Sequence, residues 1–313
     1  MSLNSGANPN LVKTDLDDVL FPAFDAPAMP GFATAENALL FKQKSTTMGA
    51  VQEIEFAGPS KWKEHIEEED VDEASVITDN PTTYNVKNWK QDLPIPKEFY
   101  DDDQHDTVTQ ATADMGRQGR GTRDENAMKV YFEGFTVTTT PDAAYLYSNS
   151  HTNLNGDTID NLETGAMSPD NLELLVRALF LQKDQRGRHG GHNPSALLVP
   201  PALFKKATVY TESELEPGGP DNDRNYLSMI YPGLQVFQSP WMANTFNGVT
   251  NADTSYFLVG QNHRITRKVR EPLNTTLVPW QYDRKDRYIY KGRFREVTYA
   301  GTWEGTVASN GTA

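Results

Sequence analysis

Val51-Gln52-Glu53-Ile54-Glu55-Phe56, broken by Gly58-Pro59, leads into Glu64-His65-Ile66-Glu67-Glu68-Glu69-Asp70-Val71-Asp72-Glu73 and then into Tyr84-Asn85-Val86-Lys87-Asn88-Trp89. In the first piece Val51, Glu53 and Glu55 alternate with Gln52, Ile54 and Phe56, the period of a strand. The last piece reads as a returning strand. Residues 45–92 are too polar for a core and too long for an ordinary turn. The stretch is expected to be a long two-stranded excursion, either a solvated surface hairpin or an arm that reaches a neighbouring molecule.

Charge supports a role for that excursion. Residues 1–106 hold 8 Lys, no Arg and 21 Asp/Glu, and the first arginine is Arg117. Residues 260–300 hold 10 Lys/Arg against 4 Asp/Glu. An acidic front and a basic rear attract each other within a subunit or between copies, and can set the register of a self-tiling protein. The strip Arg264, Arg267, Lys268 and Arg270 has little aromatic interleaving. It could touch nucleic acid, but an acidic neighbour such as Glu64, Glu67, Glu68, Glu69 and Asp70 explains both features together. These nine residues are the expected intersubunit contacts.

Composition narrows the function classes. The chain has 313 residues, 37% of them apolar, and its mean hydropathy is −0.63, so the core is small for the length. Thirteen Tyr, 14 Phe and 5 Trp argue that a core exists. With no cysteine, thiol catalysis, Cys-ligated zinc, iron–sulfur clusters and disulfides are excluded. No signal peptide and no run of 18 apolar residues is seen, so no membrane partner is expected. A net charge of −14 argues against a dedicated nucleic-acid binder, although a container benefits from an inner wall that does not grip its cargo.

Outward from the excursion, residues 1–44 read as an arm, with Pro22, Pro27 and Pro30 opposing a long helix. Residues 104–133 look mostly helical, with Asp101-Asp102-Asp103 at the start and a bend or break expected at Gly116, Gly119 and Gly121. Thr136–Thr140 is β-prone. Ser168-Pro169-Asp170 starts a second, amphipathic helix. Ala196–Val199, Leu234–Phe237, Tyr256–Val259 and Tyr288–Thr298 are strand candidates. The class is α+β, with mostly non-parallel strands.

No catalytic signature stands out. Arg186-Gly187-Arg188-His189-Gly190-Gly191-His192 could ligate a metal or hold an anion, but no third ligand sits at metal spacing, and a basic glycine-rich loop is the plainer reading. Gly116–Thr122 lacks the ending of a phosphate loop, and Asn153–Asp157 lacks calcium-loop spacing. No catalytic residue, cofactor or metal is expected.

In order, these pieces resemble the major capsid proteins of tailed bacteriophages, with the Hong Kong 97-type shell fold. Ala196-Leu197-Leu198-Val199-Pro200-Pro201-Ala202-Leu203 looks like that family's strand-then-proline segment. Asp286 to Val297 looks like its late charged β region. The resemblance implies an N-terminal arm at 1–44, an extended loop at 45–92 and a peripheral domain with a spine helix at 93–140. It implies an axial domain at 141–262 and, at 263–313, a return to the peripheral domain with C-terminal strands. It implies hexamers and pentamers of this chain closing an icosahedral shell around double-stranded DNA, held without sequence-specific contacts. A separate scaffolding protein, a portal and decoration proteins are the further partners implied, with assembly in the host cytoplasm and residence in the virion capsid. An encapsulin-like nanocompartment shell, another virion structural protein, and an enzyme using His189 and His192 are the alternatives.

Overall fold

The computed structural model describes residues 9–25, 31–62, 64, 70, 73–103, 106–215, 224–244 and 252–312. Along these run six helices, α1 (Pro9–Phe24), α2 (Lys97–Asp101), α3 (Thr107–Phe132), α4 (Pro169–Leu181), α5 (Pro201–Glu212) and α6 (Tyr226–Ile230). The strands are β1 (Lys42–Ser45), β2 (Ala50–Ala57), β3 (Ile77–Asn85), β4 (Lys87–Pro96), β5 (His151–Thr152), β6 (Thr158–Ile159), β7 (Leu162–Glu163), β8 (Pro194–Val199), β9 (Gln235–Gln238), β10 (Tyr256–Gly260), β11 (Ile265–Val278), β12 (Arg287–Ala300) and β13 (Thr306–Ser309). The class is α+β, as the sequence implies.

Two sheets organise the chain. One has the order β7-β13-β10-β8-β9 and the other β1-β11-β12-β4, each mixing parallel and antiparallel pairs. The five-stranded sheet is buried on both faces. Ala196 and Leu198 of β8, with Phe257 and Val259 of β10, pack under the C-terminal half of α3. Their alternates Leu197, Val199, Tyr256 and Leu258 pack under α4 and α5. This alternation is the period-two geometry of a strand, applied to apolar residues on both sides. β13 sits inside this sheet, so the last strand of the 263–313 stretch joins the strands of 141–262.

The four-stranded sheet is covered by α1 and α3 on one face, through Leu20, Met115, Ile95 and Tyr290. The β2–β3 hairpin covers part of the other, through Val51, Val297 and Tyr299. Helix α3, about 39 Å long at 1.5 Å per residue, therefore spans both sheets. Its start is capped by Asp103, whose carboxylate accepts from the amides of Thr107 and Val108 at 3.1 and 3.0 Å. That is the role expected of Asp103, whereas Asp101 is the last residue of α2 and Asp102 its C-cap.

Two expectations are corrected, and a third holds only in part. The arm contains α1 despite its prolines: Pro9 begins the first turn, where a missing amide is tolerated, and Pro22 falls in the last turn, so little helix follows the bond it removes. Helix α3 does not break at its glycines. A Cβ on Gly116 would lie 2.7 Å from the Leu20 carbonyl and 2.8 Å from Ala23 Cβ, so the glycine lets α1 cross at close range. Thr136 and Val137 form a turn, with the amides of Thr136, Val137 and Thr138 converging on the Glu133 carbonyl, and the rest of the β-prone stretch pairs through the antiparallel bridge Thr139↔Tyr145.

Candidate functional site: the extended hairpin and its clamp

β2 and β3 pair from Ala50↔Asn85 to Ala57↔Ile77, with an irregularity between Glu53 and Glu55. The alternation read in the sequence is present, but its polarity is inverted. Val51, Glu55 and Ala57 are buried and Glu53 is half-buried, whereas Ile54 and Phe56 are 50% and 54% exposed. A strand that turns carboxylates inward and apolar side chains outward is unfinished as a monomer surface. Trp62, in the connection between the strands, is 100% exposed, and Val76 and Ile77 are exposed as well.

The inward carboxylates are each satisfied. Glu53 Oε1 accepts from Lys268 Nζ at 2.9 Å and from the Tyr299 hydroxyl. Burial alone would raise this carboxyl, but those two hydrogen bonds hold it below its ordinary value. Glu55 accepts from Asn80 Nδ2 at 2.7 Å and Gln185 Nε2 at 3.4 Å, and burial pushes it up. At the hairpin root the Tyr84 ring stacks on Tyr299 at 4.3 Å, and its hydroxyl donates to the Ala300 carbonyl at 2.8 Å.

The basic glycine-rich segment Arg186–His192 grips the hairpin's far end. Asp184 Oδ1 accepts from the amides of Arg186 and Arg188 at 2.9 Å each, and Gly187 takes the positive φ of +73° that the turn needs. Burial would raise Asp184, but the bonds from Arg188 and from the Arg186 and Arg188 amides hold it low. So ordered, the loop aims Arg188 at the Pro59 carbonyl, 2.6 Å away, and Arg186 at the Ser75 carbonyl. Nothing in the sequence ties Arg186 to Ser75, because the two lie 111 residues apart. His189 packs edge-on against Phe180 at 4.9 Å, and His192 is buried and pushed down to about 4, chiefly by desolvation. Among the described residues no group of three or more His, Asp or Glu could hold a metal ion.

The expected contacts fall into three groups. Glu64 and Asp70 are exposed, whereas Glu67, Glu68 and Glu69 lie outside the described residues. Arg267 and Lys268 are engaged within the chain, Arg267 with buried Glu296 at 3.0 Å and Lys268 with Glu53. Each already stands beside a carboxylate of its own chain, Arg267 beside buried Glu296 and Lys268 beside half-buried Glu53. Arg264 keeps a 54% exposed side chain, 3.8 Å from Glu304, and Arg270 lies half-buried against Gly49. Further basic side chains are exposed on β4 and β12, among them Lys87, Lys90, Lys291 and Arg293.

Residues 79–309 match the family model described as "Phage capsid protein". Comparison with curated proteins by sequence finds no match. Among solved structures the chain is similar to the capsid of an empty GTA particle, with a TM-score of 0.57 and 12% identity over 92% of this chain and 95% of that one. It is similar to the capsid of the cyanophage P-SCSP1u, with a TM-score of 0.56 and 12% identity over 94% and 93%. It is also similar to the SrpI encapsulin of Synechococcus elongatus PCC 7942, with a TM-score of 0.53 and 12% identity over 91% and 90%. The fold shared with these structures is the Hong Kong 97-type capsid fold.

Proposed function

The chain belongs to the phage capsid protein family, and from that premise we propose that it is the major head protein of a tailed bacteriophage, assembling as hexamers and pentamers into an icosahedral shell around double-stranded DNA. The observation that carries the reading is the hairpin, with carboxylates buried inward while Ile54, Phe56 and Trp62 stand in solvent. A surface of this kind is completed by a neighbour, and a repeated heterologous contact closes a shell.

In this reading residues 1–44 are the arm, 45–92 the extended loop and 93–140 the peripheral domain with its spine helix α3. Residues 141–262 form the axial domain and 263–313 return to the peripheral domain, with β13 contributing to the axial sheet. Glu64, Glu67, Glu68, Glu69 and Asp70 meet basic side chains of the next copy, Arg264 and Arg270 among them. DNA is enclosed without sequence-specific contacts. Assembly takes place in the host cytoplasm with a separate scaffolding protein and a portal, and decoration proteins bind the finished head. The similarity to an encapsulin supports a second reading, a nanocompartment shell built from the same contacts.

Sedimentation velocity at low and high salt, with electron microscopy of any fast fraction, tests the proposal. Shells or ring-shaped capsomers that dissociate in salt are expected. A salt-independent monomer, in the presence as well as the absence of the phage's other head proteins, would overturn it. Packaged nucleic acid in particles from infected cells separates a phage head from a nanocompartment.

A further inference from the structure

Trp62 is fully exposed, while Trp89, Trp241 and Trp280 are half-buried and Trp303 is buried. An indole carries roughly 200 Å² of surface, and tryptophan is enriched among residues that anchor protein interfaces. Elsewhere in the chain a cavity of about 410 Å³ opens between α1, α3 and the edge strand β4. Its walls combine aromatic and apolar side chains with the polar Lys90, Gln91, Gln118 and Thr122. Trp89 and Phe294 stack at 5.3 Å, Phe24 meets Phe294 edge-on at 5.8 Å, and Met115 and Leu20 close the floor.

The geometry points to a second copy's Trp62 as the occupant of this cavity. The chain's own Trp62 belongs to a connection held on both sides by the loop after α4, through Pro59 on Arg188 and Ser75 on Arg186. The cavity lies instead at Gly292 and Phe294, under the four-stranded sheet. Charge matches the pairing. Lys90 lines the mouth, Lys87 stands three residues along the same edge strand, and neither makes an ion pair with a described residue. The Trp62 connection presents exposed Glu64, Asp70 and Glu73. Apolar insertion fixes the depth of the contact and charge fixes its register. The inference rests on the shell reading above and names the contact that would hold neighbouring copies together.

The chain has no cysteine, so an introduced pair is unique. Gln118 lines the cavity on the exposed side of α3. Particles of the double variant Trp62→Cys, Gln118→Cys should give, on oxidation, dimers and higher multiples in non-reducing denaturing gels, and each single variant should give monomer. Trp62→Ala particles should dissociate at lower guanidinium than the parent, and Trp62→Phe particles at an intermediate concentration. Normal particles that show no cross-link, and a Trp62→Ala dissociation midpoint equal to the parent's, would overturn the contact and leave the shell reading standing. A chain that forms no particle under any assembly condition would overturn both.

Discussion

Lys268 Nζ lies 2.9 Å from Glu53 Oε1, so a cation of the chain's basic rear holds the extended hairpin of the same chain in place. Lys268 also stands over the Tyr299 ring at 5.6 Å, and Tyr299 bonds the same carboxylate. Three groups from β2, β11 and β12 therefore depend on one another. Lys268→Met should cost about 1–2 kcal/mol, because it leaves a half-buried carboxylate with fewer partners. Glu53 is held below its ordinary value of 4.5 in the fold, so the contribution is present above that pH and fades as pH falls through the folded value. Guanidinium unfolding of parent and variant should differ at pH 7 and converge in acid.

Much of the fold was legible because it rests on local periodicity. Ser168-Pro169-Asp170 announced α4, and the Ser168 hydroxyl accepts from the Asn171 amide at 3.2 Å. The all-apolar run around Ala196–Val199 announced a strand buried on both faces. Features set by tertiary contact were not legible. Gly116 reads as a helix breaker until α1 is laid across it, and Arg267 reads as a surface cation until Glu296, 29 residues away, is seen beside it. The hairpin was visible as alternation, but alternation does not say which face is turned inward, and the buried face proved to be the charged one. The clamp at Arg186 and Arg188 had no signal beyond a glycine-rich turn, since its partners are backbone carbonyls that any sequence supplies.

The crossing of α1 over α3 makes Gly116 a sensitive position. Alanine is the better helix former by about 1 kcal/mol, yet its Cβ would overlap the Leu20 carbonyl at 2.7 Å. Gly116→Ala should therefore destabilise by about 1–3 kcal/mol. At Gly121 the Cβ would meet the Trp241 ring at 3.3 Å, which can yield, so Gly121→Ala should be close to neutral. Thermal unfolding of the two variants side by side checks the contrast, and equal effects would contradict it.

Buried titratable groups near the hairpin give opposing pH dependences. Desolvation raises Glu304 from 4.5 to about 7 despite Arg264, so between those values the folded state holds the extra proton and stability falls as pH rises. Glu304→Gln should remove that slope and add between about 1 and 3 kcal/mol at pH 8. His192 and His263 are pushed down from 6.5 to about 4 by burial, so their contribution is present above 6.5 and is lost as pH falls toward 4. With Glu304 neutralised, the acid side of the stability profile should become steeper. A profile of Glu304→Gln parallel to the parent's from pH 5 to 8 would contradict the assignment.

Charge reversal of Glu67, Glu68 and Glu69 to Lys tests the acidic segment separately. Assembly at low salt should be impaired, while the unfolding free energy of the unassembled chain changes by less than about 0.5 kcal/mol. Raising the salt should narrow the difference between variant and parent, since salt screens charge interactions between copies over about 10 Å at 0.1 M. Normal shells from the variant would remove the proposed role of the segment.

The measurement that bears most directly on the account removes the hairpin's far end. Ala57 and Ile77 are partners in the β2–β3 register, so a short Gly/Ser turn can join them in place of residues 58–76. Sedimentation velocity of this chain beside the parent, under conditions where the parent forms shells, is the comparison to make. The account predicts a folded chain with the parent's cooperative unfolding that stays a monomer or small oligomer. Shells of ordinary size from the shortened chain would contradict it.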